Sequence, residues 1–239
     1  MAKWMASLES WSLRRERSAA GMYIPKANEE TRLPVLHGLM EVQPFCSLVT
    51  MGPSGLFATH LPMVLEKERE PFGRLRGHVS RANRQWRDFS PEIEAMAIFS
   101  GPQHYISPSW YPEKRETGKV VPTWNYAVVH AYGHLKVIED AAWLLAHLEN
   151  LVNIQEAPFP APWKISDAPA DYIQSLTKGI VGLEMSIERI EGKWKASQNH
   201  SEAHRESVVK GLDDLDTAES QAMNTLMLGT MKKPQSDLP

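Results

Sequence analysis

The chain is almost without cysteine. Cys46 stands alone among 239 residues, so neither an intrachain disulfide nor a cysteine-built zinc site can form. Its setting in the apolar run PFCSLVTM marks a small core residue rather than a nucleophile. No apolar run approaches the ~18 residues of a membrane helix. Neither sign of charge dominates: 26 Lys and Arg against 29 Asp and Glu give a formal net charge of -3. Such a balance supplies no global attraction to nucleic acid or to an acidic membrane. GxGxxG and GxxxxGK[ST] are both missing, which argues against Rossmann and P-loop nucleotide sites. HExxH and GxSxG are missing too. His37, His60, His78, His104, His130, His134, His147, His200 and His204 are scattered without metal-ligand spacing, so no metal is expected. No internal repeat, helix-turn-helix pattern or zinc finger stands out. What remains is a globular chain of ordinary composition, expected in the cytoplasm, with 42% hydrophobic residues and length enough for a sizeable core.

The abundant feature is an aromatic and polar stretch from Gly101 to Tyr132, GPQHYISPSWYPEKRETGKVVPTWNYAVVHAY. Ordinary core strands are built from Val, Ile and Leu. This one offers flat rings beside amides and imidazoles, a chemistry suited to a planar polar ligand or to an aromatic subunit interface. Around it the periodicities predict a helix over 28–42 capped by Asn28, with Leu33, Leu36, Leu39 and Met40 on one face. A hairpin follows, with strands over 45–51 and 56–65 joined at Gly52 to Gly55. A third strand covers 73–80 and runs into a short helix over 82–89. Further strands cover 94–100 and 120–138, the latter interrupted near Pro122 and Gly133. Asp140 caps a helix to Glu156. Another helix covers 169–178 with Asp167 as cap. Val181 to Glu191 alternates as a strand with one buried face. Residues 1–21 read as an extension, poorly ordered or partner-contacting, with a faint transit-peptide character that Glu9 and Glu16 oppose. Residues 22–212 form the domain, and 213–239 a polar, disordered or loosely docked tail. Many strands and few helices imply an α+β fold, mainly β, built as a barrel or curved sheet with peripheral helices.

Three strings could carry chemistry. In GRLRGHVSRANRQW, Arg74, Arg76 and His78 share one side of a strand. Ser80, Arg81 and Asn83 sit where that strand yields to a helix, a sound place for a phosphate. Gly77 would let a flat ligand approach the backbone. The alternative is a solvated basic strand edge. In ATHLP, Thr59 and His60 interrupt an apolar strand, and Pro62 leaves backbone groups that could meet a ligand's ring edge. A strand-edge proline beside a satisfied histidine is the plainer meaning. In EGKWKASQN, Lys193 and Lys195 flank Trp194, with Ser197, Gln198 and Asn199 able to donate and accept; a solvated strand end is again the commoner meaning.

Together MYIP (22–25), ATHLP (58–62), LRGHVSRANRQW (75–86), GPQHYISPSWYP (101–112), VPTWNY (121–126) and GKWKASQN (192–199) resemble the PaiB-type FMN-binding split-barrel proteins, often labelled negative transcriptional regulators. The resemblance spans Met22 to about Leu212. It implies a six-stranded Greek-key split barrel that forms a homodimer with FMN at the subunit interface, similar in scheme to the pyridoxamine-phosphate-oxidase superfamily and to haem-degrading split-barrel proteins. It also implies roles. Thr59, His60 and Leu61 would meet the ring edge. Arg76, Gly77 and His78 would meet the ribityl side, and Ser80, Arg81 and Asn83 the phosphate. Trp124, Asn125, Lys195 and Gln198 would come from the second subunit. The implied activity is FMN-dependent oxidoreduction of a small molecule lodged against Trp110, Tyr111 and Trp124, with Lys195 or His60 favouring reduced flavin. A regulator without turnover and a haem-binding relative are the alternatives.

Overall fold

A computed structural model describes residues 21–231. The extension proposed for residues 1–21 and the last eight residues of the tail therefore fall, but for Gly21, outside the described residues. In chain order the elements are β1 (Glu29–Glu30), α1 (Leu33–Val42), β2 (Phe45–Gly52), β3 (Gly55–Pro62), β4 (Val64–Glu66), β5 (Arg74–Ser80), β6 (Ala95–Ile106), α2 (Glu113–Glu116), β7 (Thr123–Gly133), β8 (Leu135–Ile138), α3 (Ala141–Glu156), α4 (Ala170–Thr177), β9 (Ile180–Ser186), β10 (Arg189–Lys195), α5 (Glu202–Leu215) and α6 (Ala218–Met231). The strands form two antiparallel sheets, ordered β1-β10-β7-β6-β2-β3 and β4-β5-β9-β8.

Three runs cross from one sheet to the other. β3 continues into β4 through Met63, β7 into β8 through His134, and β9 into β10 through Ile187 and Glu188. Counted as continuous runs, and leaving aside the two-residue β1, the strands number six. Their pairings close a ring in the order first, second, third, sixth, fifth, fourth. This is the expected split barrel. Alternation fills its interior: Leu48, Leu75, Ala97, Phe99, Val129, Ala131, Leu183, Met185 and Ile187 are all fully buried. Cys46 lies among them at 1% exposure, and burial pushes its thiol up to about 12.

The barrel is open at one seam. β4 pairs with β5 from Val64↔Arg76 to Glu66↔Arg74 and stops there. Continuing the same register would set Pro62 opposite His78. Proline has no N–H to give to the ladder. The neighbouring Met63 amide donates instead to Pro44 O at 2.9 Å, so β3 leans onto β2 and away from β5. The sequence position of Pro62 thus decides where the barrel splits.

Several local expectations are corrected. The first helix starts at Leu33, with Pro34 in its first turn, and Asn28 does not cap it. Glu29 and Glu30 pair instead with Lys193 and Gly192 of β10, a tertiary ladder that overrides the local helical pattern. The helix expected over 82–89 is a single 3-10 turn, Arg84–Trp86. The strand begun at Ala95 runs on to Ile106, with a register shift between Ser100 and Gln103. Asp140 caps α3 by accepting from the Trp143 amide at 2.7 Å, but α4 is preceded by Pro169 rather than capped by Asp167. The strand expected over 181–191 is two strands. β9 is buried on both faces, Gly182 and Glu184 included, because β5 and β8 flank it and α3 covers it.

The largest correction is at the C-terminus. Residues 218–231 are not a loose tail but a helix packed on α5. Val208 and Leu212 on α5, and Met223 and Met227 on α6, are fully buried with Ile106, Tyr111 and Ala196 in a second apolar cluster. Both pairs have the i,i+4 spacing of one helical face. Burying each such side chain contributes about 1.5–3 kcal/mol, enough to offset the ordering of a polar helix around them.

Candidate functional site

The seam between β3 and β5 is a cleft of about 500 Å³, lined by Thr59, His60, Leu61, Pro62, His78, Val79, Ser80 and Asn83, and closed by Leu176, Gly179 and Ile180. Six of the residues named from sequence therefore meet here: Thr59, His60, Leu61, His78, Ser80 and Asn83. The lining holds no carboxylate and no lysine or arginine.

Its polar groups are oriented by their neighbours. Asn83 accepts the Gln85 amide proton through Oδ1 at 2.9 Å, which turns its Nδ2 to donate to Thr59 Oγ1 at 2.9 Å. Gln85 is itself fully buried and donates to Leu48 O and Thr50 Oγ1, both at 3.1 Å. Thr59 thus has an acceptor position filled and its hydroxyl hydrogen left over. Ser80 Oγ accepts from the Ala82 amide at 3.3 Å and likewise keeps its hydrogen. The wall is neutral and rich in donors, a surface for the acceptor oxygens of a phosphate or a ring carbonyl.

Other residues named from the sequence lie elsewhere. Gly77 faces Leu61 and Met63, not the cleft; a Cβ there would lie 3.0 Å from Leu61 Cδ1 and 3.2 Å from Met63 Cγ, so it serves close packing between β5 and the β3–β4 bend. Arg76 shares with His78 the face of β5 opposite Gly77, but it does not line the cleft. Its guanidinium carbon sits 4.1 Å above the Trp143 ring, and it donates to Glu66 at 3.0 Å. Glu66 also takes Arg74 at 2.5 Å, and Arg74 reaches Glu184 at 3.2 Å. Burial works against the Glu66 carboxylate, yet the two arginines hold it below the usual range. Arg81 does not turn into the cleft. It donates to Glu139 at 2.5 Å, to Lys178 O at 3.0 Å and to Ile180 O at 3.3 Å. It clamps the segment whose Gly179 and Ile180 close the cleft. With only one 3-10 turn after Asn83, no helix dipole of consequence faces the cleft either.

His60 is exposed on the outer face of the large sheet, where its Nδ1 lies 2.9 Å from Ser47 Oγ and its ring stacks on Phe45. The four residues ascribed to a second subunit do not form one group. Trp124 is 49% exposed and edge-on to Tyr105. Asn125, next along the strand and on its opposite face, is buried at 1% against Ser197 Oγ (3.0 Å) and Met227. Lys195 is held by Thr123 Oγ1 and, at 2.8 Å, by Trp124 O. Gln198 accepts from the Ala196 amide and donates to Trp194 O. In the large sheet β7, β6 and β2 separate β10 from β3, and none of Trp124, Asn125, Lys195 and Gln198 lines the cleft.

The expected aromatic wall does not form. Trp110 lies flat against Gly211 of α5, where an added Cβ would collide with its ring. Tyr111 is 6% exposed and stacks on His204 at 4.2 Å. These rings anchor the C-terminal helices. Residues not anticipated for the cleft are Val79, Leu176, Gly179 and Ile180, and behind His78 stands His147. A histidine at helical spacing from Trp143 and Leu144 was the available signal for His147.

The fold and the cleft define a class: a Greek-key split barrel with a donor-lined opening at its seam. The chain belongs to the family described as "Putative FMN-binding domain", whose model matches residues 22–189. The match includes every cleft residue and stops before most of β10 and the last two helices. The chain is 31% identical over 212 residues to the protease synthase and sporulation protein PAI 2 of Bacillus subtilis, covering 89% of this chain and 99% of the relative. It is 33% identical over 231 residues to an uncharacterized protein of Emericella nidulans, covering 82% and 92%. Among solved structures, flavocytochrome Anf3 of Azotobacter vinelandii shares the fold with a TM-score of 0.53, at 14% identity and 74% coverage of both chains. A conserved hypothetical protein of Mycobacterium tuberculosis does so with a TM-score of 0.51, at 8% identity, covering 75% and 94%. No helix among the described residues is long and apolar enough to cross a membrane.

Proposed function

We propose that this protein binds FMN in the seam cleft, as a homodimer, and uses it for oxidoreduction of a small molecule. The observation that carries the reading is the cleft itself, which opens where Pro62 ends the β4–β5 ladder and presents hydroxyl donors without an acidic side chain. That chemistry fits an acceptor-rich, anionic, planar cofactor. Bound FMN would supply hydride and single-electron transfer. Thr59, Ser80 and His78 would hold its acceptor atoms, while Leu61, Val79, Leu176 and Ile180 would exclude water from its flanks.

The second subunit is argued from placement and from surface. Lys195, Gln198 and Trp124 do not line the cleft of their own chain and would approach a cleft from another copy. The outer face of the large sheet is also apolar for an exposed surface: Phe45 is 65% exposed, Leu56 73% and Met51 38%. Pairing these faces would bury them and bring the β10 end of one copy toward the β3 edge of the other. Purified protein titrated with FMN tests the reading. Saturable uptake, with absorbance near ~450 and ~370 nm typical of an oxidised flavin cofactor, is the expected result, followed by bleaching under a reductant and recovery with an electron-accepting substrate. Protein that takes up no flavin would sink it.

A second reading follows from the similarity to PAI 2: a regulator that binds without turnover. Salt-dependent retention of duplex DNA would favour it. Flavin that is bound but reduced by no donor would favour it too.

A further inference from the structure

The geometry points to His147 as the positioning residue that fixes the tautomer of His78, so that the cleft meets its ligand with an Nε2–H donor. This rests on the reading of the seam as the ligand site. His78 lines the cleft from β5. Its Nδ1 lies 3.1 Å from Nε2 of His147 on α3, with the rings edge-on at 5.3 Å, which leaves Nε2 as the nitrogen available to a ligand. His147 is 1% exposed and stacks on Trp143, whose ring also carries Arg76. Its second nitrogen, Nδ1, is enclosed and has no hydrogen-bond partner.

Burial holds His147 down to about 4 and lowers His78 as well, with the Arg76 charge pressing His147 in the same direction. Near neutral pH both rings are uncharged, and each carries one N–H. A single hydrogen then lies between the two nitrogens, and two arrangements are available. In one, His78 Nδ1–H donates to His147. The remaining proton of His147 then sits on Nδ1, a buried donor with nothing to donate to. In the other, His147 Nε2–H donates to His78. Its Nδ1 is then bare, and the proton of His78 sits on Nε2, toward the cleft. An enclosed N–H without an acceptor is the rarer and costlier defect. The positive guanidinium across Trp143 opposes a second N–H in that space. The second arrangement wins.

The consequence is specificity. His78 Nε2–H joins the hydroxyl hydrogens of Thr59 and Ser80, so the polar groups of the wall converge as donors. Phosphate oxygens, carbonyls and unprotonated ring nitrogens are accepted. Ammonium and amide N–H groups find fewer partners there, chiefly the second lone pairs of the Thr59 and Ser80 hydroxyls, and are disfavoured.

The test is long-range 15N–1H correlation of the imidazoles at neutral pH, in the ligand-free protein and then with FMN as probe. His78 is assigned by its loss in His78→Asn. The expected spectrum shows a protonated Nε2 and a bare Nδ1 for His78. In His147→Leu that pattern should move toward exchange-averaged nitrogen shifts, and in His147→Gln, whose amide can still donate to Nδ1, it should return. A His78 protonated on Nδ1, or averaged in the wild type, overturns the assignment without reference to any variant. So does a fixed tautomer that His147→Leu leaves untouched. On adding FMN, the Nε2–H resonance of His78 should shift and slow its exchange with water. FMN bound with His78 unmoved refutes the donor role. No binding at all sinks the cofactor reading, while the ligand-free spectra still decide the tautomer.

Discussion

Arg81→Ala and Glu139→Gln together separate two roles for one guanidinium. The Arg81–Glu139 pair is 2.5 Å long but lies at the surface, with side-chain exposures of 36% and 55%. Such a pair contributes about 0–1 kcal/mol. A phosphate hydrogen bond from the same guanidinium contributes about 1.5–3 kcal/mol. If a bound phosphate draws Arg81 from Glu139, the phosphate bond therefore wins. Arg81→Ala should then weaken FMN about 2- to 150-fold, because release of Glu139 offsets up to about 1 kcal/mol of the phosphate bond, at about 1.4 kcal/mol per tenfold. Glu139→Gln should tighten FMN by up to about fivefold, because the competing carboxylate is gone. The assay is quenching of flavin fluorescence on titration, at two salt concentrations. Arg81 also holds Lys178 O and Ile180 O, so loss of affinity in Arg81→Ala alone could come from a slackened cleft wall. Glu139→Gln leaves those two bonds in place and is the discriminating variant. An unchanged dissociation constant in Glu139→Gln, with less than about twofold weakening in Arg81→Ala, would refute the phosphate role and leave Arg81 as a clamp.

Three further outcomes are expected. Above pH ~6.5 His147 is neutral in both folded and unfolded chains and adds no pH dependence; as pH falls toward its folded value of about 4, the unfolded chain takes up the proton first and stability drops. Between pH 7 and 5 this amounts to about 2 kcal/mol, and His147→Leu should remove most of that difference in denaturant midpoints; an identical acid limb would count against the buried neutral ring. Gly211→Ala forces a methyl into the Trp110 ring and should cost about 1–3 kcal/mol by overpacking, read as a lower thermal midpoint; a neutral result would mean that α5 does not dock as described. Phe45→Asp with Leu56→Lys should convert a dimer to monomer in sedimentation and weaken FMN with it; retained dimers would place the subunit contact elsewhere.

Period and punctuation were legible along the chain. The hairpin at Gly52 to Gly55, the Asp140 cap and the break near Gly133 are local events, set by tight turns and one capping carboxylate, whereas the strand read through 56–65 is divided at Met63. Thr59, His60, His78, Ser80 and Asn83 could be singled out within two short strings, and the family resemblance added Leu61. The C-terminal helices were missed because Val208, Leu212, Met223 and Met227 are sparse in a polar background, and their burial depends on a surface supplied by Ile106 and Tyr111.

What the order of residues determined by itself is the family and the six runs of strand. Tertiary structure decided partners. Arg81 looked free for a phosphate until Glu139, 58 residues on, was placed beside it. Trp110 and Tyr111 looked like a ligand wall until α5 covered them. His78 looked like one more cleft residue until α3 set His147 behind it. A strand pattern states which way a side chain points. It does not state what the chain will fold against that side, because that contact is made across long stretches of sequence and is selected by packing.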